Sequence, residues 1–255
     1  MNTAPTPRRG SIVITGASAG LGSEMARQFA ALGYDLGLAA RRLDRLDSLR
    51  DEITARYPTR RVEVIELDVT DGDAVHDAVN RFDVLLGGID RLIANAGSGK
   101  GAALGTGGWE ANRQTAETNF VGVLAQADAA MGVFRRQRSG HMVLISSMSA
   151  VRGMRRSMTT YAASKAGVAA IAEGLRAENL EGIDVSVILP GYIASEMNAH
   201  VRARTPFLVD TETGVAAMVA AIERRRAKAF VPAWPWALVG MAMRILPLRV
   251  VRKLT

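Results

Sequence analysis

Short apolar runs rich in valine, isoleucine and leucine recur along the chain, separated by longer stretches in which apolar residues return with helical spacing. The runs over 11–15, 35–40, 61–67, 90–94, 141–146, 184–189 and 229–231 read as strands. Their Val/Ile/Leu content suits a sheet buried on both faces. Helical patterns fill the intervals over 20–32, 43–57, 72–86, 112–137, 160–180 and 211–225. Such alternation predicts an α/β fold, a doubly wound parallel sheet of seven strands with helices on both faces. Ligands of these sheets sit at the carboxyl ends of the strands. One domain is expected over 11–232, after a short flexible N-terminus (1–10) and before a separate tail (233–255).

The first strand runs into Thr15-Gly16-Ala17-Ser18-Ala19-Gly20-Leu21-Gly22 and then a helix. Glycines there permit a tight turn and let backbone approach a pyrophosphate, whose charge faces the helix N-terminus. A dinucleotide site is therefore predicted at Gly16, Ser18, Gly20, Leu21 and Gly22. About 20 residues on, the second strand ends Ala40-Arg41-Arg42. Ala40 cannot accept ribose hydroxyls as a carboxylate would, whereas Arg41 and Arg42 can fork onto a 2′-phosphate. The expected cofactor is NADP(H). Asp68, followed by Val69 at the end of the third strand, either meets an adenine amino group or caps the helix from about 72.

Tyr161 and Lys165 stand four apart in a helical pattern, so phenol and ammonium share a face. With four lysines and four tyrosines in the chain, chance supplies roughly 0.06 such pairs. An adjacent cation favours phenolate, so Lys165 is expected to draw Tyr161 below its ordinary value of about 10. A tyrosine tuned in this way can exchange a proton with a carbonyl or alcohol oxygen.

Taken together, these motifs resemble the short-chain dehydrogenase/reductase family over residues 10 to 232. They are Thr15-Gly-x-x-x-Gly20-x-Gly22, Asp68-Val69, Asn95-Ala96-Gly97, Asn119, Ser146-Ser147, Tyr161-x-x-x-Lys165 and Pro190-Gly191, in family order. The resemblance implies a Rossmann-type fold and a catalytic set of Asn119, Ser147, Tyr161 and Lys165. In it the tyrosine acts as acid/base, the lysine tunes it and binds the nicotinamide ribose, the serine holds the substrate oxygen, and the asparagine supports a proton-relaying water. It also implies cofactor contacts from Asn95, Ala96 and Gly97, and from Pro190, Gly191, Ile193 and Ser195. Ser147 lies 14 residues before Tyr161, one more than the family spacing suggests, which makes Ser149 a minor rival. Ala19 stands where some NADP-using members carry a basic residue.

Substrate contacts are expected from 97–108, 150–160 and 191–210. The first of these holds six glycines and looks mobile. Arg152, Arg155 and Arg156 read as solvated charge or as contacts for an anionic substrate group. His76, His141 and His200 show no metal-ligand spacing and read as surface or loop residues. No cysteine is present, which suits a reducing cytosol, and no apolar leader precedes the first strand.

The net charge of +7 is uneven: residues 224–255 hold eight cations and no Asp or Glu, leaving the remainder near −1. A neutral body argues against nucleic acid and directs attention to the tail. Its apolar stretch bears Trp234 and Trp236 and is interrupted by Pro235 and Pro247, so it is too short to span a bilayer. It could lie at a membrane interface, cover the substrate cleft, or contact another subunit of a homodimer or homotetramer. The overall expectation is a cytoplasmic enzyme passing hydride between NADP(H) and a small carbonyl or secondary alcohol, its substrate an apolar or lipid-like ketone. The alternatives are a 3-oxoacyl thioester reductase and a non-catalytic nucleotide-sensing regulator.

Overall fold

The structure is a computed structural model and describes residues 7–196 and 207–254. Seven strands form one sheet: β1 (Gly10–Thr15), β2 (Tyr34–Ala40), β3 (Val62–Glu66), β4 (Arg91–Ala94), β5 (Gly140–Ile145), β6 (Ile183–Pro190) and β7 (Lys228–Val231). Their order is β3-β2-β1-β4-β5-β6-β7, and every pairing is parallel. The order reverses between β1 and β4, which opens a crevice beyond their carboxyl ends.

Side chains along each strand alternate between two apolar layers. Ile12 and Ile14 join one core with α1 (Gly20–Leu32), α2 (Leu43–Arg56) and α7 (Thr211–Glu223). Val13 points the other way, into a core shared with α3 (Gly72–Leu86), α5 (Gly122–Gln137) and α6 (Thr159–Ala177). The sheet is thus covered on both sides, as its apolar strands require. Arg8 and Arg9 are held ahead of β1: Arg8 pairs with the buried Asp35 at 2.7 Å and Arg9 with Glu223 at 3.2 Å.

Three local differences from the sequence reading matter for function. The helix expected over 112–137 begins earlier and is broken into α4 (Trp109–Ala116), a π turn (Glu117–Val121) and α5. A π turn inserts one residue without altering the apolar marks on either side. The cap of α3 is Asp71, which accepts from the Ala74 N–H at 3.0 Å, and not Asp68. The tail forms α8 (Ala233–Ile245) and α9 (Leu248–Leu254). Trp234 keeps an extended backbone, so α8 is regular only from Pro235, where a missing N–H costs little. No helix among the described residues is long and apolar enough to cross a membrane.

His141 corrects another expectation, because it is fully buried at the start of β5. Its Nδ1 accepts from Arg91 Nε at 2.9 Å, which places the ring proton on Nε2, facing Ser186 Oγ at 2.8 Å. Arg91 in turn pairs with Glu223 at 2.7 Å. Burial, then the Arg91 and Arg225 charges, push His141 down to about 3. Above its unfolded value of about 6.5 neither state holds the proton. As pH falls from there toward 3, the unfolded chain binds a proton that the folded chain refuses. Stability should therefore drop by about 3 kcal/mol by about pH 4 from this group. Urea unfolding of wild type and His141→Gln should show a shallower pH slope in the variant, and parallel curves would exclude this origin.

Candidate active site

The turn after β1 is built so that only glycine fits. Gly16 has φ +64°, and a Cβ there would stand 2.8 Å from Ala96 Cα. A Cβ on Gly22 would stand 2.3 Å from the Gly16 carbonyl, so α1 packs directly on the turn. The N-terminus of α1 has no side-chain cap and no acidic residue in its first turn. Its leading N–H groups are thus left for an anion, which fits a pyrophosphate. Ser195 lies 3.5 Å from where a Gly20 Cβ would be, bringing the Pro190–Ser195 segment across the same turn. Thr15 ties the two strand ends together: its Oγ1 accepts from the N–H groups of Asn95 and Ala96, each at 3.1 Å, and donates to Gln126 at 2.7 Å. Leu21 packs beside the first core.

At the end of β2 the two arginines take different places. Arg42 donates to Ser18 Oγ at 3.1 and 3.3 Å, and its far nitrogen is 3.7 Å from Glu196. Arg41, largely exposed, lies 3.8 Å from Asp68. Asp68 also accepts from the Thr70 N–H and hydroxyl, while Val69 is buried against Gly122. Both guanidinium groups therefore border the edge of the cradle beyond β2.

The other half of the site converges from four elements. The π turn aims the fully buried Asn119 inward, where it accepts from the Ser98 N–H at 2.7 Å and donates to the Ser98 carbonyl at 2.8 Å. A Cβ on Gly97 would lie 3.3 Å from Asn119 Oδ1 and 3.6 Å from Lys165 Nζ. Lys165 is buried, donates to the Ile145 carbonyl at 2.9 Å, and has its Nζ 6.0 Å from the Tyr161 ring centre. Ser146 anchors the same turn of α6 by donating to the Lys165 carbonyl at 2.7 Å. Ser147 is near enough to the Tyr161 phenol to favour its ionised form. Ser149 lies behind it, 2.7 Å from Ser147 Oγ. The longer spacing thus leaves Ser147, rather than Ser149, on the phenol.

Electrostatics here differ from the sequence expectation. Burial pushes Tyr161 above its ordinary range, the Ser147 hydroxyl pulls the other way, and nearby Tyr192 raises it further. Burial also takes Lys165 down to about 8. The ammonium shares a face with the ring, as expected, but burial and not the ammonium sets the direction of the phenol's shift. A protonated phenol at neutral pH is what a proton donor needs.

The loops flanking this cluster are tied down. Asn112 brackets Ala102, accepting from its N–H and donating to its carbonyl at 3.1 Å each, and Thr115 donates to the Lys100 carbonyl. A Cβ on Gly101 would strike the Ser157 carbonyl at 2.3 Å, so its glycine serves close packing rather than the mobility expected of 97–108. Arg152 donates to the Met243 and Leu246 carbonyls at 2.9 and 2.7 Å, closing the C-terminal end of α8. Arg155 donates to the Arg252 carbonyl at 3.0 Å. Both fasten the tail, Arg152 from a half-buried position and Arg155 from an exposed one. Arg156 is exposed.

So fastened, α8 lies across the loops that flank Ser147 and Pro190. Trp236 stacks edge-on against Tyr192 at 5.4 Å and Phe207 at 6.1 Å, and fills the space a Gly191 side chain would take. Gly240 rests on Phe230 and Met148. Ile193 is buried. Tyr192 falls within the expected substrate segment 191–210, whereas Trp236 lies beyond any family motif and is absent from the predicted site residues. Residues 197–206 of the expected substrate loop, His200 among them, lie outside the described residues.

A doubly wound sheet with a glycine cradle at its switch point and a Ser–Tyr–Lys cluster beside it defines a nicotinamide-dependent oxidoreductase, and the chain belongs to the short-chain dehydrogenase/reductase family. The sequence pattern of the short chain dehydrogenases matches residues 11–206. An "uncharacterized oxidoreductase" of Mycobacterium tuberculosis is 51% identical over 96% of this chain and 97% of its own. Dehydrogenase/reductase SDR family member 7B of Bos taurus is 36% identical over 76% of this chain, which matches 61% of that protein. Among solved structures, a short-chain dehydrogenase of Sphingobium yanoikuyae in complex with NADPH aligns with TM-score 0.78 and 28% identity, over 94% of this chain and 97% of its own. A family member of Burkholderia phymatum in complex with NAD shares the fold, with TM-score 0.82 and 20% identity over 95% and 94%.

Proposed function

We propose that the protein is an NADP(H)-dependent reductase of apolar or lipid-like ketones, able to run in reverse as an alcohol dehydrogenase. The observation that carries this reading is the convergence of Ser147, Tyr161 and Lys165 beside the glycine cradle, with Trp236 and Tyr192 packed together on the adjoining Gly191 loop. Gly16, Ser18, Gly20, Leu21 and Gly22 would cradle the pyrophosphate. Arg41 and Arg42 would meet the 2′-phosphate, and Asp68 with Val69 the adenine. Asn95, Ala96, Gly97, Pro190, Gly191, Ile193 and Ser195 would line the nicotinamide half. The reduced nicotinamide supplies the hydride; the protein's residues handle the oxygen and its proton. Ser147 donates a hydrogen bond to the carbonyl oxygen as charge grows there. Tyr161, held protonated by burial, gives that oxygen its proton. Lys165 keeps a positive charge beside the ribose and the ring, and Asn119 holds the Ser98 backbone that shapes the floor.

The aromatic cluster of Tyr192, Trp236 and Phe207 beside the site favours ketones with hydrocarbon chains over small polar ones. The same reading makes the protein a cytoplasmic homodimer or homotetramer. A non-catalytic nucleotide sensor would have no use for the converged Asn119, Ser147, Tyr161 and Lys165. The test is a series of 2-ketones of rising chain length, with a 3-oxoacyl thioester included, followed by NADPH absorbance. Turnover should rise with chain length through several methylenes. A thioester consumed far faster than every ketone would replace this reading with the thioester one.

A further inference from the structure

The tail helix has two apolar faces, and the site uses only one. Trp236 and Gly240 face the Gly191 and Met148 loops and are buried. On the opposite side Leu238, Met241 and Ile245 follow one another at helical spacing and are 56%, 63% and 80% exposed. Trp234 precedes them at 73% and Leu248 extends them at 64%. A run of large side chains this open is unusual on a soluble surface and marks an interaction site. Arg244, Arg249 and Arg252, all exposed, border it.

We propose that this outer face of α8 and α9 docks on an anionic lipid surface. The charge pattern selects that occupant over a second copy of the chain. Residues 233–255 carry four cations, Arg244, Arg249, Arg252 and Lys253, and no Asp or Glu, so two such faces meeting symmetrically would set arginines against arginines. An anionic headgroup layer gives those cations partners while the stripe enters the acyl boundary. The clasp of Arg152 and Arg155 keeps the helix fixed on the body, so docking would set the Ser147 and Gly191 loops just above the bilayer. This last point rests on the reading of those loops as a site for apolar ketones, whereas the docking itself does not.

Sedimentation of the full chain with vesicles tests the proposal without substrate or cofactor. Binding is expected to phosphatidylcholine vesicles containing phosphatidylserine, to weaken at high salt, and to be far weaker on phosphatidylcholine alone. Each cation near the surface adds about 1 kcal/mol, roughly fivefold, so Arg244→Gln, Arg249→Gln and Arg252→Gln together should lower partitioning about a hundredfold. Leu238→Ser with Ile245→Ser should weaken it as well, with NADPH binding kept in both variants. Absence of binding to anionic vesicles at low salt, or equal binding to both vesicle types, overturns the proposal. If the wild type ignores vesicles and the serine variant loses its oligomeric state, the face belongs to a second copy. Failure of the ketone series with vesicle binding intact would remove the reductase reading and leave the docking surface standing.

Discussion

Tyr161→Phe should lower kcat by about 10²–10⁴-fold, the range that a positioned acid/base contributes, while NADPH affinity stays near wild type. The substitution removes one hydroxyl and keeps a ring that packs beside Lys165 and Tyr192. What disappears is the proton that burial holds on the phenol. Steady-state rates with the best ketone, and NADPH titration by nicotinamide fluorescence, separate the two effects. Turnover near wild type in the variant would show that the proton comes from elsewhere.

Arg41→Ala should cost tenfold to a hundredfold in NADPH affinity and leave NADH affinity nearly flat. A charge-assisted hydrogen bond is worth about 1.5–3 kcal/mol, and among the described residues Arg41 has Asp68 as its ion-pair partner, at 3.8 Å. Arg42 behaves differently because it already braces Ser18 in the glycine turn. Its replacement by alanine should weaken both cofactors together. Fluorescence titrations of NADPH and NADH with the two variants check this. Equal losses for both cofactors in Arg41→Ala would assign that residue a packing role.

Much of the fold was legible because parallel strands buried on both faces leave an unmistakable apolar signature. The seven runs each fell within a residue or so of a strand. The glycine turn and the Tyr161–Lys165 pair were legible for a similar reason, since short local spacing decides their geometry. What escaped the sequence was set by contacts distant along the chain. The π turn that buries Asn119 leaves no periodic mark. The upward push on Tyr161 comes from burial by elements far away in sequence, against which a pairwise reading of Lys165 had no measure. Arg152 and Arg155 looked like a charged loop because their partners are backbone carbonyls about 90 residues later, as with Arg152 and Met243. His141 hides in the same way: its burial depends on Arg91 and Ser186, from two other strands. The tail stood open among three roles, and its inner face now covers the site loops.

The central claim, hydride transfer from NADPH to an apolar ketone with Tyr161 supplying the proton, is tested most directly by isotope transfer. With NADPH carrying deuterium at the reactive nicotinamide carbon, the alcohol formed from a long-chain 2-ketone should carry the label at its carbinol carbon. It should form faster than with labelled NADH, and hardly at all with Tyr161→Phe. Alcohol without label, a faster reaction with NADH, or undiminished labelled product from the phenylalanine variant would contradict the account.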